Sequence, residues 1–311
     1  LLGVPIVNVE NACSSSATAL REAWIAVRAG LYDAVLVVGC DKLSHSGGTL
    51  TRHADDYDGS LGLSPPALYA IRARRYMHDY KVGIGDIAAV CVKNRKNALH
   101  NHHALFRKEV TLEEVLGSRP VADPLTLLQC CARSDGAAAV IVANDRVASQ
   151  VGSRAVRLRW SELVSGLHKP GFRDMTSPEI TLRAAKRAYE AAGVGPEDID
   201  LAEVHDAFSI AEVLYYEALG FCKAGEGTQF LASGAASIGG RVPVNPSGGL
   251  MAKGHPPGAT GIAQVVEVVT QLRGEARERQ VEGARIGLTH CTGGGVSGLD
   301  HGACTIHILS K

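Results

Sequence analysis

The chain has 311 residues, 46% of them hydrophobic, with 32 Lys and Arg against 32 Asp and Glu and therefore no formal net charge. That length and apolar content support one large domain or two core-forming halves, and the charge balance excludes a general electrostatic pull on nucleic acid or membranes. The longest apolar stretch, AVLVVGC, is too short to span a bilayer, no basic region marks a signal peptide, and eight cysteines without framework spacing read as reduced thiols in a cytoplasmic protein.

The chain opens on Leu1-Leu2-Gly3 rather than Met and leads directly into a β-branched run, Val4 to Val9, which reads as an interior strand. An N-terminal segment is therefore expected to precede it. The first helix is predicted from about Ser14 to Gly30, because Ala17, Leu20, Trp24 and Val27 step by three and four onto one face. A buried-type strand follows at 33–40, then a polar, Gly-rich loop to about 62 and a basic amphipathic helix over 65–80. Residues 94–123 carry many charges and little periodicity, which suggests an excursion from the core. The core resumes at SDGAAAVIVAND with a turn and a strand.

The second half alternates again: a strand near 155–163, a helix over 178–192, a Gly-Pro break at 195–196, then a short strand running into a helix in IDLAEVHDAFSIAEVLYYEALG. GRVPVNPSGGLMAKGHPPGATGIAQVVEVVTQLRG reads as strand, Gly-rich turn and long helix. ARIGLTHCTGGGVSG and ACTIHILS supply the last two strands. Alternating strands and helices predict an α/β protein with helices covering the sheet faces. Val242-Pro243-Val244-Asn245 before His255 echoes Ile6-Val7-Asn8-Val9 before Cys13, which suggests two similar halves sharing one site.

Cys13 stands at a predicted helix N-terminus, where backbone N–H groups and the helix dipole lower a thiol pKa from about 8.5. Position alone leaves open whether it is reactive or simply a small buried hydrophobe. His205 in EVHDAFS and His255 in KGHPPGATG each sit at a handover into a helix, where side chains project into a cleft. Cys291 in HCTGGG is followed by three glycines that let backbone N–H groups approach a ligand closely. The glycine run is followed by a strand and not a helix, so a dinucleotide-binding reading fails. HNHH at 100–103 lacks a partner ligand spacing for a metal. Cys40, Cys91, Cys130, Cys131, Cys222 and Cys304 read as core.

Together, NACSSSATAL, HDAF, NPSGGLMAKGHPPGATG and CTGGG resemble, in order, the catalytic blocks of the thiolase superfamily. LTLLQCCARSDGAAAVIVA and HDAFS…YYEALGFC resemble its sterol-carrier-protein type and bacterial relatives. The resemblance covers essentially the whole chain. It implies a five-layered αβαβα fold of two halves, residues 1–145 with a loop domain inserted at about 45–128, and residues 146–311. It also implies that about 80 residues belong before Leu1, and that the active enzyme is a homodimer or tetramer.

Roles follow from the resemblance residue by residue. Cys13 matches the nucleophile that takes the acyl group, and His255 the base that activates it. His205 occupies a position where other thiolases often carry Asn, and with His255 would form one oxyanion hole. Cys291 matches the acid/base at the carbon that leaves or enters. The N–H groups of Cys13 and Gly293 would form the second oxyanion hole. The chemistry implied is cleavage of a 3-oxoacyl-CoA by coenzyme A, or its reverse, with CoA as substrate and no metal or redox cofactor.

Two positions depart from the pattern: Ala207 replaces the cysteine of an H-D-C-F block, so Cys291 supplies the second thiol, and GHPPG replaces GHPLG. The substrate class implied is a medium or bulky 3-oxoacyl-CoA such as a sterol side chain. The rival reading is a thiolase-like lyase that cleaves steroid side-chain β-hydroxyacyl-CoA by retro-aldol reaction with a small OB-fold and zinc-ribbon partner. A non-catalytic acyl-CoA carrier is disfavoured by the intact blocks.

Overall fold

The computed structural model describes residues 3–45, 60–167, 171, 173–295 and 301–311. The predicted Gly-rich loop between 46 and 59 and the tail of the late glycine turn, 296–298, lie outside these. Two helices form the centre: Ser15–Arg28 and Pro257–Arg273. The second buries Ile262, Val265, Val268 and Leu272, each contributing about 1.5–3 kcal/mol. The two helices approach at Gly261, where a Cβ would stand 2.6 Å from the Ala17 Cβ and 2.7 Å from the Ala17 nitrogen. Only glycine permits that crossing, and it brings the N-terminal ends of both helices together.

Sheets flank this pair on either side. On one side β1 (Ala34–Asp41) pairs antiparallel with β4 (Gly136–Ala143). On the other, β5 (Arg157–Ser165), β8 (Ala303–Ser310), β7 (Ile286–Gly293) and β6 (Leu201–Glu203) lie in that order, antiparallel except for β7 with β6. Helix Glu179–Ala192 covers the outer face of this sheet, with Ser209–Ala218 packed beside it. A short hairpin, β2 (Pro120–Ala122) with β3 (Leu125–Thr126), completes the strands among the described residues.

The predicted α/β alternation and most elements appear where expected. Four of the five implied layers are formed by the described residues. The outer face of the β1–β4 sheet carries Leu36, Val38 and Ile141 at 64%, 55% and 71% exposure.

Several expectations are corrected. Val4 to Val9 joins no ladder among the described residues, and Val4, Ile6 and Val7 are exposed. Val242 to Asn245 makes only an isolated bridge, Ala202 to Val244, since Pro243 has no N–H to extend it. Residues 94–123 are not a wholly polar excursion. The helix Ile84–Ala98 reaches into them and is deeply buried, and Leu112–Leu116 adds a capped turn. Of the cysteines read as core, Cys91 and Cys304 are buried, while Cys130, Cys131 and Cys222 are half-buried. Cys40 is exposed, because strand alternation turns it to the uncovered face of β1.

Candidate active site

Cys13 does not stand in the first helix. It sits in a 3-10 turn, Ala12–Ser14, that precedes it. Ala12 has φ +48°, a left-handed conformation that costs an L-residue about 1–2 kcal/mol. The turn is held from below: the Asn11 carbonyl accepts from the Ser14 N–H at 3.1 Å, and Ser15 Oγ donates to the Ala12 carbonyl at 2.7 Å. Gly293, at the end of β7, abuts this turn so tightly that a Cβ would lie 2.2 Å from the Asn11 carbonyl oxygen.

His255 lies between the short helix Gly249–Lys253, which occupies part of the predicted Gly-rich turn, and the helix starting at Pro257. Gly254 has φ +104°, and a Cβ there would stand 2.4 Å from Ser134 Oγ, so this turn requires glycine. The His255 N–H donates to the Ala132 carbonyl at 2.8 Å. Pro257, the residue that departs from the family pattern, occupies the first helical position, where its missing N–H leaves nothing unpaired.

These turns bring the His255 Nε2 to 3.3 Å from the Cys13 Sγ. The other ring nitrogen, Nδ1, lies 2.7 Å from Thr260 Oγ1, whose single proton is directed to the Pro256 carbonyl at 3.0 Å. Thr260 therefore accepts, Nδ1 carries the ring proton, and the Nε2 lone pair faces the thiol. Thr260 lies within the GHPPGATG block, yet sequence reasoning assigns it no role; its position, five residues after His255, is the signal that could find it.

His205 lies between β6 and the helix beginning at Ser209, with its ring 5.0 Å from that of His255, edge to face. Its Nδ1 is 3.4 Å from the Cys291 Sγ. That thiol also donates to the Cys13 carbonyl at 3.2 Å. All four predicted side chains, Cys13, His205, His255 and Cys291, thus converge, with Gly293 alongside. The HNHH run does not: Asn101 is buried and donates to the Ser247 carbonyl at 2.7 Å.

The helix-dipole argument for a lowered Cys13 pKa is overturned. Burial, then the charge of Asp41, push that thiol up to about 12, outweighing the lowering pull of its own N–H. Burial, then the nearby ammonium of Lys253, push His255 down to about 4. His205 falls well below its ordinary value, chiefly by burial and then by the neighbouring histidines. Cys291 is raised well above the usual thiol range, again by burial first. At neutral pH the four groups are two thiols and two neutral imidazoles.

A buried polar network that sequence patterning does not reveal holds the histidine loops. Asp206 accepts from the N–H of Leu250 at 2.7 Å, so it fastens the His205 loop to the helix leading to His255. Asn94 donates to Asp206 and to Glu212, both at 2.8 Å, and Lys93 pairs with Glu212 at 2.6 Å. Burial and then the charge of Glu212 raise the Asp206 pKa well above its ordinary value. Lys93 and Asn94 lie more than a hundred residues from the carboxylates they meet, beyond the reach of local periodicity.

Comparison with known proteins identifies a family. Residues 2–146 match the family model for the thiolase N-terminal domain, and residues 164–307 match that for the thiolase C-terminal domain-like family. The chain is 44% identical to an acetyl-CoA acetyltransferase of Methanothermobacter thermautotrophicus, covering 100% of this chain and 81% of that one. It is 42% identical to the benzoylsuccinyl-CoA thiolase subunit BbsB of Thauera aromatica, covering 97% and 80%. Sterol carrier protein 2 of Rattus norvegicus is 40% identical, covering 94% of this chain and 57% of that protein.

Among solved structures, the Ltp2-ChsH2(DUF35) aldolase superposes with a TM-score of 0.84 at 27% identity, covering 96% of this chain and 78% of that one. The Acat5 thiolase from Ascaris suum in complex with coenzyme A shares the fold, with a TM-score of 0.70 at 20% identity and coverage of 100% and 80%.

Proposed function

The chain belongs to the thiolase family, and on that premise we propose that it is an acyl-CoA C-acyltransferase that works through an acyl group on Cys13. The observation that carries this reading is the 3.3 Å contact between His255 Nε2 and Cys13 Sγ, with a second thiol, Cys291, held against the Cys13 carbonyl.

In the cleavage direction, His255 Nε2 takes the Cys13 proton as the sulfur attacks C3 of a 3-oxoacyl-CoA. A neutral base beside a protonated thiol suits a transfer that occurs during attack rather than before it. The oxyanion formed at C3 is held by the N–H groups of Cys13 and Gly293. The C2–C3 bond then breaks, and its electron pair forms the enolate of the departing acyl-CoA. His205 and His255 face the thioester oxygen of that enolate, and the Cys291 thiol gives C2 its proton. Coenzyme A enters next. The Cys291 thiolate takes its thiol proton, the CoA sulfur attacks the acyl-cysteine, and Cys13 leaves as a thiolate that recovers its proton from His255. Each group ends as it began, and no metal or redox cofactor enters the cycle.

The substrate we infer is a medium or bulky 3-oxoacyl-CoA, of which a sterol side chain is one form. The benzoylsuccinyl-CoA thiolase subunit from Thauera supports a bulky acyl group. Equal turnover of acetoacetyl-CoA and of aryl or branched 3-oxoacyl-CoA would refute that preference. That relative is named as a subunit, and the aldolase neighbour is a complex with a DUF35 protein. Both support a protein partner, which we infer to be of the small OB-fold, zinc-ribbon kind, alongside the dimer or tetramer that the family resemblance implies.

The aldolase neighbour also favours a second reading, retro-aldol cleavage of a β-hydroxyacyl-CoA. Cys13→Ala separates the two. Acyl transfer predicts loss of CoA-dependent thiolysis, with no turnover of 3-hydroxyacyl-CoA by either form. Retro-aldol chemistry predicts cleavage of the 3-hydroxy substrate that survives the substitution.

A further inference from the structure

Beyond acyl transfer, the same side chains have the donor set of a metal site. One ligand atom each from Cys13, His205 and His255 lie within 4.8 Å of one another, and among the described residues this is the trio of cysteine, histidine or carboxylate groups so arranged. A tetrahedral zinc site with Zn–N of about 2.0–2.1 Å and Zn–S of about 2.3 Å separates its ligand atoms by about 3.3–3.8 Å. The Cys13–His255 pair already stands at 3.3 Å. The remaining separations, all within 4.8 Å, need to close by no more than about 1.5 Å to meet that geometry.

We propose that Cys13, His205 and His255 bind a thiophilic divalent cation, Zn²⁺, as a tripod with one open position, and that the bound ion reversibly blocks acylation of Cys13. Three protein ligands and an open fourth place match the open arrangement of zinc sites that keep a position for water or substrate, unlike a closed structural site.

The surroundings support binding. Thr260 Oγ1, 2.7 Å from His255 Nδ1, fixes the tautomer that leaves Nε2 as a donor atom. Such a partner on the far nitrogen is what orients metal-binding histidines. Binding replaces the Cys13 S–H bond by an S–Zn bond and releases one proton to solvent, so affinity rises with pH.

Ion binding rests on this geometry alone, and the block of acylation rests in addition on the acyl-transfer reading. It is tested on tag-free, chelator-treated protein titrated with Co²⁺ and Zn²⁺, with turnover followed separately. Expected are one ion per chain, thiolate-to-cobalt absorption in the near ultraviolet, and intense visible bands of a tetrahedral site. Zn²⁺ should displace the cobalt and protect Cys13 from iodoacetamide, and EDTA should restore reactivity. Cys13→Ser should abolish the near-ultraviolet band, His205→Ala should weaken binding at least tenfold, and His102→Ala should leave it unchanged. The proposal is overturned by an absent cobalt–thiolate band on the wild-type protein. Binding that survives Cys13→Ser, or that follows His102, also overturns it. Turnover that fails while the cobalt spectrum appears would count against the enzymatic reading alone.

Discussion

Thr260→Val tests how the structure activates Cys13. Thr260 is 1% exposed and its hydroxyl is the acceptor for His255 Nδ1, 2.7 Å away. Valine keeps the shape and removes the oxygen, leaving a buried N–H without a partner. That costs about 1–3 kcal/mol. The ring escapes the cost by moving its proton to Nε2, which then points an N–H at Cys13 and cannot accept the thiol proton. Depleting the productive tautomer by that free energy lowers the acylation rate by about 5- to 150-fold. The assay is the pre-steady-state burst of first product from a 3-oxoacyl-CoA, with the CoA dependence measured alongside. The expected pattern is a slowed burst, an unchanged KM for CoA, and recovery in Thr260→Ser. A burst within twofold of wild type in Thr260→Val would refute the tautomer assignment.

The thiol held up to about 12 implies that Cys13 is not a preformed thiolate, so its alkylation by iodoacetamide should rise about 100-fold between pH 7 and pH 9; a flat profile over that range would indicate a standing thiolate–imidazolium pair. Burial lowers His255 and His301 to about 4 and His290 and His307 to about 3. Their neutral state stabilises the fold above the unfolded value near 6.5, and that stability is lost as pH falls from there toward about 4 for the first pair and about 3 for the second, by up to about 1.4 kcal/mol per pH unit for each. Thermal melts should fall through that window, and pH-independent melting would contradict it. Asp206→Asn should lower kcat at least tenfold with little change in KM while the protein remains folded by circular dichroism, because the carboxylate acts by holding two loops. Gly261→Val, which forces carbon against the Ala17 backbone, should cost about 1–3 kcal/mol and separate Cys13 from His255; wild-type activity in this variant would remove the helix crossing from the account.

Much of this arrangement is legible in the sequence because its chemistry is concentrated in short blocks. Cys13, His205, His255 and Cys291 each stand in one, and the structure gathers all four. The long helices are legible because their apolar positions repeat at the helical period, as in Ala17, Leu20 and Val27. Segments that depend on partners are less so. Val4 to Val9 has every local mark of a strand, but a strand exists only in a ladder, and Pro243 breaks the matching run in the second half. Lys93 and Asn94 look like surface residues until Glu212 and Asp206 are seen against them. The Cys13 pKa escapes sequence reasoning for the same reason: the nearby helix terminus is visible in sequence, whereas burial and the carboxylate of Asp41 emerge only when the chain is folded.

The central claim is that Cys13 carries the acyl group. The direct measurement is the intact mass of the protein after brief exposure to a 3-oxoacyl-CoA without free CoA, followed by peptide mapping. The account predicts a mass increase equal to the shortened acyl group, located on Cys13 and discharged by added CoA. A folded protein that binds the substrate but shows no adduct, or one that carries it on Cys291, would contradict it.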